Sequence, residues 1–307
     1  MLLCAAAAHP STAAPATKRL LVLQSHDESA FQAAVVGLKH QIDRLHQNGG
    51  IEIEVRNLSE LKSPDTELAE LLSVSGTELI ITLGAEATLW AQASVREVPV
   101  LFGMVLDPDA QGIDPAQAKV PMTGISMQIP LRAQFSELRK VLPDVKRVGT
   151  VYDIRNQKMI DRAKREAARQ GLEMVAVSVR ERGEVPEAFR MLTGEVDALW
   201  SFPDTTVYSR EAAQFILLFS FRNRLPLMGF SRGYVRAGAL FGLYADYADV
   251  GRQLAEVAHE ILGGRSPRQI PISPPRRHSM ALNLRVSEAL GTKIPREAHK
   301  NAEEIFR

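Results

Sequence analysis

The sequence predicts an α/β protein of two similar lobes, each a parallel sheet with helices on both faces. Three observations predict it. Short apolar runs alternate with amphipathic stretches of helical period, the pattern of right-handed βαβ units. The alternation occurs twice, in the same order and with close spacing. The 307 residues exceed one small core and suit two lobes of about 120–150 each.

In chain order, the apolar run at 19–24 reads as a strand, and the amphipathic stretch 29–47 after it as a long helix ending near Gly49-Gly50. Strand 51–56, helix 65–73, strand 79–83, helix 86–93 and strand 98–103 complete the first set. The second set is helix 131–141, strand 147–152, helix 156–170 closing at Gly171, strand 173–178, helix 185–192, strand 198–202, helix 206–222 and strand 225–228. "KRLLVLQSHDES" at Lys18 is echoed by "KRVGTVYDIRNQ" at Lys146, and "IEIEV" by "LEMVAV". "TELIITLGAEATLW" is echoed by "VDALWSFPDTTVYS", and "VREVPVLFGMV" by "FRNRLPLMGFS". Four echoes in register point to two lobes of one architecture.

Loops at the carboxyl ends of parallel strands line the crevice where ligands bind. In the first lobe they offer Ser25, His26 and Asp27, then Ala85 and Glu86 after Gly84, then Asp107. Opposite them stand Asp153, Arg155 and Asn156, then Asp204, Thr205 and Thr206, then Phe230 and Ser231. Asp204 or Thr205 can cap the next helix, and Asp204 can also meet a ligand ammonium or hydroxyl. Shared duty is expected, so Asp204→Ala should weaken ligand binding with little loss of fold.

Composition narrows the function. The 37 basic and 36 acidic residues leave a net charge of +1, with no field of one sign to collect nucleic acid or anionic lipid. Cys4 is the single cysteine, the histidines are scattered and no H-E-x-x-H occurs, so no metal site is expected. No G-x-x-x-x-G-K-[ST] or strand-following G-x-G-x-x-G calls for a nucleotide, and no cofactor is expected. Residues 1–17, "MLLCAAAAHPSTAAPAT", read as an export signal with an A-x-A end at Ala14-Pro15-Ala16, or as a disordered leader. A basic n-region is missing, and lipidation at Cys4 is the alternative. Residues 215–221 are too short to span a membrane and read as the buried face of a helix.

One stretch, Val120 to Asp153, "VPMTGISMQIPLRAQFSELRKVLPDVKRVGTVYD", resembles the middle of the periplasmic substrate-binding proteins of ABC transporters, in the family that includes the tryptophan/tyrosine-binding type. "DALWSFPDTTV", "VRAGALFGLYADYADVGRQLAEVAHEILGGRSPRQIPI" and "NLRVSEALGTKIP" extend the resemblance over nearly everything from Lys18 onward. It implies the type I periplasmic-binding fold: two Rossmann-like lobes, three hinge crossings and a ligand between lobes. The crossings fall near 126–130, 242–246 and 278–283, which gives lobes of 18–126 plus 245–277 and 127–244 plus 278–307, and adds Tyr244 and Asp246 to the site. It also implies an exported protein that hands a small molecule to an ABC permease and has no catalytic residue.

The chain departs from the family pattern where the ligand should sit. Val105-Leu106-Asp107-Pro108-Asp109 carries an extra acid, and Arg155 and Arg232 are additions. The arginines tilt the cleft toward an anionic group and Asp107 and Asp204 toward a cation; an amino-acid-like ligand or small organic acid satisfies both, with Phe230 or Tyr244 available to stack. Two alternatives stay open. The closed lobes could report to a membrane receptor or sensor kinase. Gly229-Phe230-Ser231-Arg232-Gly233 is a literal G-x-S-x-G, with Asp246 or Asp249 and His259 or His278 following in triad order, although Gly233 and Gly238 argue against the long helix a hydrolase elbow needs. Trp90 reads as core, Arg276-Arg277 as a solvated linker and the protein as a monomer.

Overall fold

The structure is a computed structural model and describes residues 17–47 and 49–307. The expectations for the leader and for Cys4 lie outside the described residues. The first lobe is built on β1 (Lys18–Gln24), β2 (Ile51–Asn57), β3 (Thr77–Leu83), β4 (Val100–Val105) and β5 (Met122–Ser126), all parallel, in the order β2-β1-β3-β4-β5. Helices α1 (Ser29–Leu45), α2 (Pro64–Ser75) and α3 (Ala85–Ser94) connect them. β1 shows why the sequence folds this way. Leu20 and Val22 point into one core with α1, while Leu21 and Leu23 point into the other with α3, so an unbroken apolar run is a strand buried on both faces.

The second lobe opens with α4 (Leu131–Val141) and continues through β6 (Arg147–Asp153), α5 (Gln157–Arg169), β7 (Glu173–Val179), α6 (Val185–Arg190), β8 (Ala198–Trp200), α7 (Arg210–Arg222), β9 (Leu227–Gly229), α8 (Arg232–Ala237) and β10 (Phe241–Ala245). The chain then runs through α9 (Tyr247–Leu262), β11 (His278–Asn283), α10 (Leu284–Leu290), α11 (Arg296–Asn301) and β12 (Glu304–Phe306). The second sheet has the order β12-β11-β10-β9-β8-β6-β7. Its β7-β6-β8-β9-β10 part repeats the order of the first sheet strand for strand, as the internal echoes predict.

Helix α9 returns to the first lobe, where Val250, Leu254 and Ala258 share a core with Leu38 and Ile42 of α1. The two helices touch backbone to backbone: a Cβ on Gly37 would lie 2.0 Å from the carbonyl oxygen of Ala248, and one on Gly251 would lie 1.9 Å from that of Ala34. The chain therefore passes between the lobes three times: through 127–130 after β5, at Asp246 after β10, and through 274–277 into β11. The third passage ends where the expected crossing at 278–283 begins, because those residues form β11, which pairs antiparallel to β10.

Two further differences have local causes. The helix expected over 206–222 begins at Arg210, because Asp204 holds the N–H groups of Thr206 and Val207 in a turn and Ser209 caps the helix from Ala212 N at 3.3 Å. Strands β5 and β10 go unread as strands because each carries a glycine, Gly124 at the centre of β5 and Gly242 as the second residue of β10. Those glycines are packing sites: a Cβ on Gly124 would lie 2.4 Å from the ring of Phe102, and one on Gly242 would lie 2.8 Å from the carbonyl oxygen of Gly229. Trp90 packs against the first lobe's core and donates Nε1–H to Asp65 at 2.8 Å.

Candidate functional site

In both lobes the strand order reverses between the first strand and its neighbour, and the loops there pin one another. Ser25, after β1, accepts the N–H of Ala87 in α3 at 3.0 Å and is buried. In the second lobe, Asp204, after β8, uses its whole carboxylate. Oδ2 accepts from Asp153 N and from Asn156 Nδ2, each at 2.8 Å, and Oδ1 accepts from Thr206 N and Val207 N, each at 3.0 Å. An ionised carboxylate has about four acceptor positions, so none of Asp204's is left for a ligand ammonium.

Asp153 is committed as well. It takes Arg155 Nε at 2.9 Å, the backbone N–H of Arg155 at 2.9 Å and the Thr206 hydroxyl at 2.6 Å. The Arg155 guanidinium, with help from Thr206, holds its carboxyl well below the usual carboxylate range against the opposing pull of burial. Arg155 is thus neutralised within its own loop. Arg232 pairs with Glu304 of β12. The two arginines expected to draw an anion into the cleft are both occupied by carboxylates.

A cavity of ≈ 220 Å³ opens instead at the hinge side of the interlobe cleft. It is lined by Met104 near the end of β4 and Leu106 just after it, by Met127, Gln128 and Ile129 of the first crossing, by Phe230 and Ser231 after β9, and by Tyr244 and Tyr247 at the second crossing. Ala30 reaches it from the first turn of α1, whose N-terminus has no side-chain cap. The Tyr244 and Tyr247 rings lie 6.3 Å apart, and Phe230 packs edge-on to Tyr208 at 6.0 Å. Burial pushes both tyrosine hydroxyls up, Tyr244 also under the negative charge of Glu303 and Glu304, so both stay protonated as donors. Gln128 donates to Asp107 at 2.8 Å, which fixes the crossing against the loop after β4.

Of the residues expected at the site, Phe230, Ser231 and Tyr244 line this cavity. Asp107 supports it through Gln128. Ser25, Asp153, Arg155, Asn156, Asp204 and Thr206 are tied into the loop contacts given above. Thr205 is exposed in the turn beside them, where its carbonyl accepts from Arg182 at 3.3 Å. His26, Asp27, Ala85 and Glu86 stand at the mouth of the first lobe, with His26 Nε2 3.7 Å from Glu86. Asp246 caps α9 through Asp249 N at 2.9 Å. The sequence reading missed Met104, Met127, Gln128, Ile129 and Tyr247; the available signals were adjacency of Tyr247 to Asp246, the place of Met127, Gln128 and Ile129 within the expected first crossing, and the position of Met104 just before the loop of Asp107.

Ser231 does not sit in a hydrolase elbow. Its backbone is extended, with φ −153° and ψ 156°, where the elbow requires a strained turn, and its hydroxyl caps α8 by accepting from Tyr234 N at 3.2 Å. His259 Nδ1 lies 3.0 Å from His46 Nε2 on the far helix pair, and Asp249 is held by Arg252 and Arg276.

Two lobes of the same strand order, crossed three times and enclosing a cavity at the crossings, define a two-lobed small-molecule-binding protein. The chain belongs to the ABC transporter substrate binding protein family, which it matches over residues 20–306. It is 22% identical over 254 residues to the tyrosine-binding protein of Clostridioides difficile, covering 81% of this chain and 73% of that one. The ligand-free, open structure of a substrate-binding protein with adhesive properties from Clostridium difficile superposes with a TM-score of 0.73 at 21% identity, covering 94% of this chain and 99% of the other. An ABC domain in complex with L-Trp from Streptococcus pneumoniae gives 0.63 at 19% identity, covering 95% and 100%. These similarities establish the type I periplasmic-binding fold. Among the described residues no helix is long and apolar enough to cross a membrane.

Proposed function

We propose that the protein captures an aromatic amino acid in the cavity between its lobes, closes on it, and presents it to the permease of an ABC importer. The observation that carries this reading is the convergence of Phe230, Tyr244 and Tyr247 on a cavity whose lining includes no charged side chain among the described residues. Such a lining selects a flat apolar body, and aromatic rings supply area and edge-to-face contacts. The polar end of the ligand meets the uncapped first turn of α1, which suits a carboxylate, and the Asp107–Gln128 side, which suits an ammonium. A relative described as tyrosine-binding and a similar fold holding L-Trp support the same ligand class. The chain works outside the cytoplasm, in keeping with the A-x-A pattern of its leader. The lobes are 18–126 plus 245–277 and 127–244 plus 278–307, and the chain acts without catalysis.

A thermal-shift series tests the reading. L-Tryptophan, L-tyrosine and L-phenylalanine at a hundredfold excess over Kd should each stabilise the protein by about 2.7 kcal/mol. A response confined to small organic acids or purines would overturn the aromatic assignment.

A further inference from the structure

A second cavity, of ≈ 540 Å³, lies on the other side of the first crossing and shares Gln128, Ile129, Gln134 and Pro203 with the first. Its chemistry is the opposite. Arg132 of α4 and Arg162 and Arg165 of α5 line it together. Arg162 and Arg165 are three apart and share a helix face with Met159, which also lines the cavity. No carboxylate lies within salt-bridge reach of the three arginines among the described residues, whereas the arginines of the cleft loops, Arg155 and Arg232, are paired. Glu166 is the single acid in the lining among the described residues; its Oε1 is taken by Arg169, which stands outside the cavity, and its Oε2 is buried without a hydrogen-bond partner. Three like charges gathered on one concavity repel one another and are stabilised when an anion occupies it.

The walls come from both lobes. Ser126 and the segment Ile272-Ser273-Pro274 belong to the first lobe, where Ser126 N donates to the Ser273 carbonyl at 3.0 Å and Ser273 N to the Gly124 carbonyl at 3.2 Å. The arginines belong to the second lobe. We propose that this chamber is an anion-binding site at the hinge, separate from the aromatic cavity, which takes a small oxyanion (a phosphate or a carboxylate group) on the Arg132, Arg162 and Arg165 guanidiniums. Planar guanidinium forks match both groups bidentately. The site does not depend on the cleft ligand being an amino acid.

Calorimetric titration with inorganic phosphate, and separately with citrate, at ionic strength held constant with chloride tests the site in the wild-type chain, in the Arg162→Gln/Arg165→Gln double variant, in Arg132→Gln and in Tyr244→Ala. All three arginines are exposed and, among the described residues, pair with no carboxylate, so both arginine variants should fold, with Arg132→Gln as the check on a second helix. Saturable binding of one phosphate is expected in the wild type and in Tyr244→Ala, and binding at least about tenfold weaker in both arginine variants. Phosphate binding without citrate binding assigns the site to phosphate-bearing solutes; binding of citrate as well assigns it to oxyanions generally. Absence of saturable binding of either anion to the wild type, or equal affinity in the arginine variants, overturns the proposal. Loss in Tyr244→Ala alone would place the anion in the aromatic cleft and overturn it too, without touching the amino-acid reading.

Discussion

The backbone N–H of Asp153 donates to Oδ2 of Asp204 at 2.8 Å, which joins the loops after β6 and β8 where the strand order of the second sheet reverses. With its other three acceptor positions also filled, Asp204 braces the loops under the cleft. Asp204→Ala would strand the N–H groups of Asp153, Thr206 and Val207 and the Asn156 amide in a buried loop. The expected loss is about 2–4 kcal/mol of folding stability by urea denaturation. This reverses the expectation from sequence that the substitution would spare the fold and weaken the ligand.

Asp153 makes the same loop acid-sensitive. Its carboxyl titrates well below its ordinary value of 3.8, first because of the hydrogen bonds from Arg155. A depressed folded pKa contributes stability that is present above the unfolded pKa and is lost as pH falls through the folded one. Urea midpoints should therefore decline below about pH 4, and Asp153→Asn should flatten that decline. A slope unchanged in the variant would assign the acid sensitivity to other carboxylates.

How far the sequence reveals this molecule depends on what each residue has to do. Strands such as β1 are legible because continuous apolar runs have few other uses. The duplicated strand order is legible because each lobe keeps its own copy of the alternation. β5 and β10 are not, because Gly124 and Gly242 give way to neighbouring groups and look like linker residues. The site divides in the same manner. Polar loop residues such as Ser25 and Asp204 advertise themselves, yet their hydrogen bonds go to each other. Met104, Met127 and Ile129 line the cavity, but an apolar side chain facing a ligand reads the same as one filling a core.

Closure of the first lobe rests on the contact of α1 with α9. A methyl group at Gly251 would meet the Ala34 carbonyl oxygen at 1.9 Å, so Gly251→Ala must push the helices apart. Backbone on both sides cannot yield as a side chain would, and the expected cost is about 3 kcal/mol, the upper end for overpacking, by chemical denaturation. A cost below about 1 kcal/mol would show that the helix pair slides freely.

The far end of that helix pair should respond to mild acid. His46 titrates below its ordinary 6.5, because of its burial and then the positive charges of His259 and Lys18. The unfolded chain therefore binds the proton more readily than the folded one. Stability is complete above about pH 6.5 and falls as pH drops from there through the folded value. His46→Gln should remove that component, so melting temperatures of the variant between pH 7 and pH 5 should change less than those of the wild type.

Tyr244, one of the expected site residues that line the cavity, separates stacking from hydrogen bonding in the ligand contact. Its ring stands 6.3 Å from that of Tyr247 and its hydroxyl stays protonated, so a ligand ring can pack on its face or bond to its edge. Tyr244→Ala should weaken an aromatic amino acid by about 1–3 kcal/mol by calorimetry, through lost apolar contact. Tyr244→Phe keeps the ring and should cost less than about 1 kcal/mol if stacking dominates. A Tyr244→Phe loss equal to that of Tyr244→Ala would assign the contact to the hydroxyl. Full affinity in both variants would move the ligand out of the cavity at the crossings and back to the loops after β1 and β6.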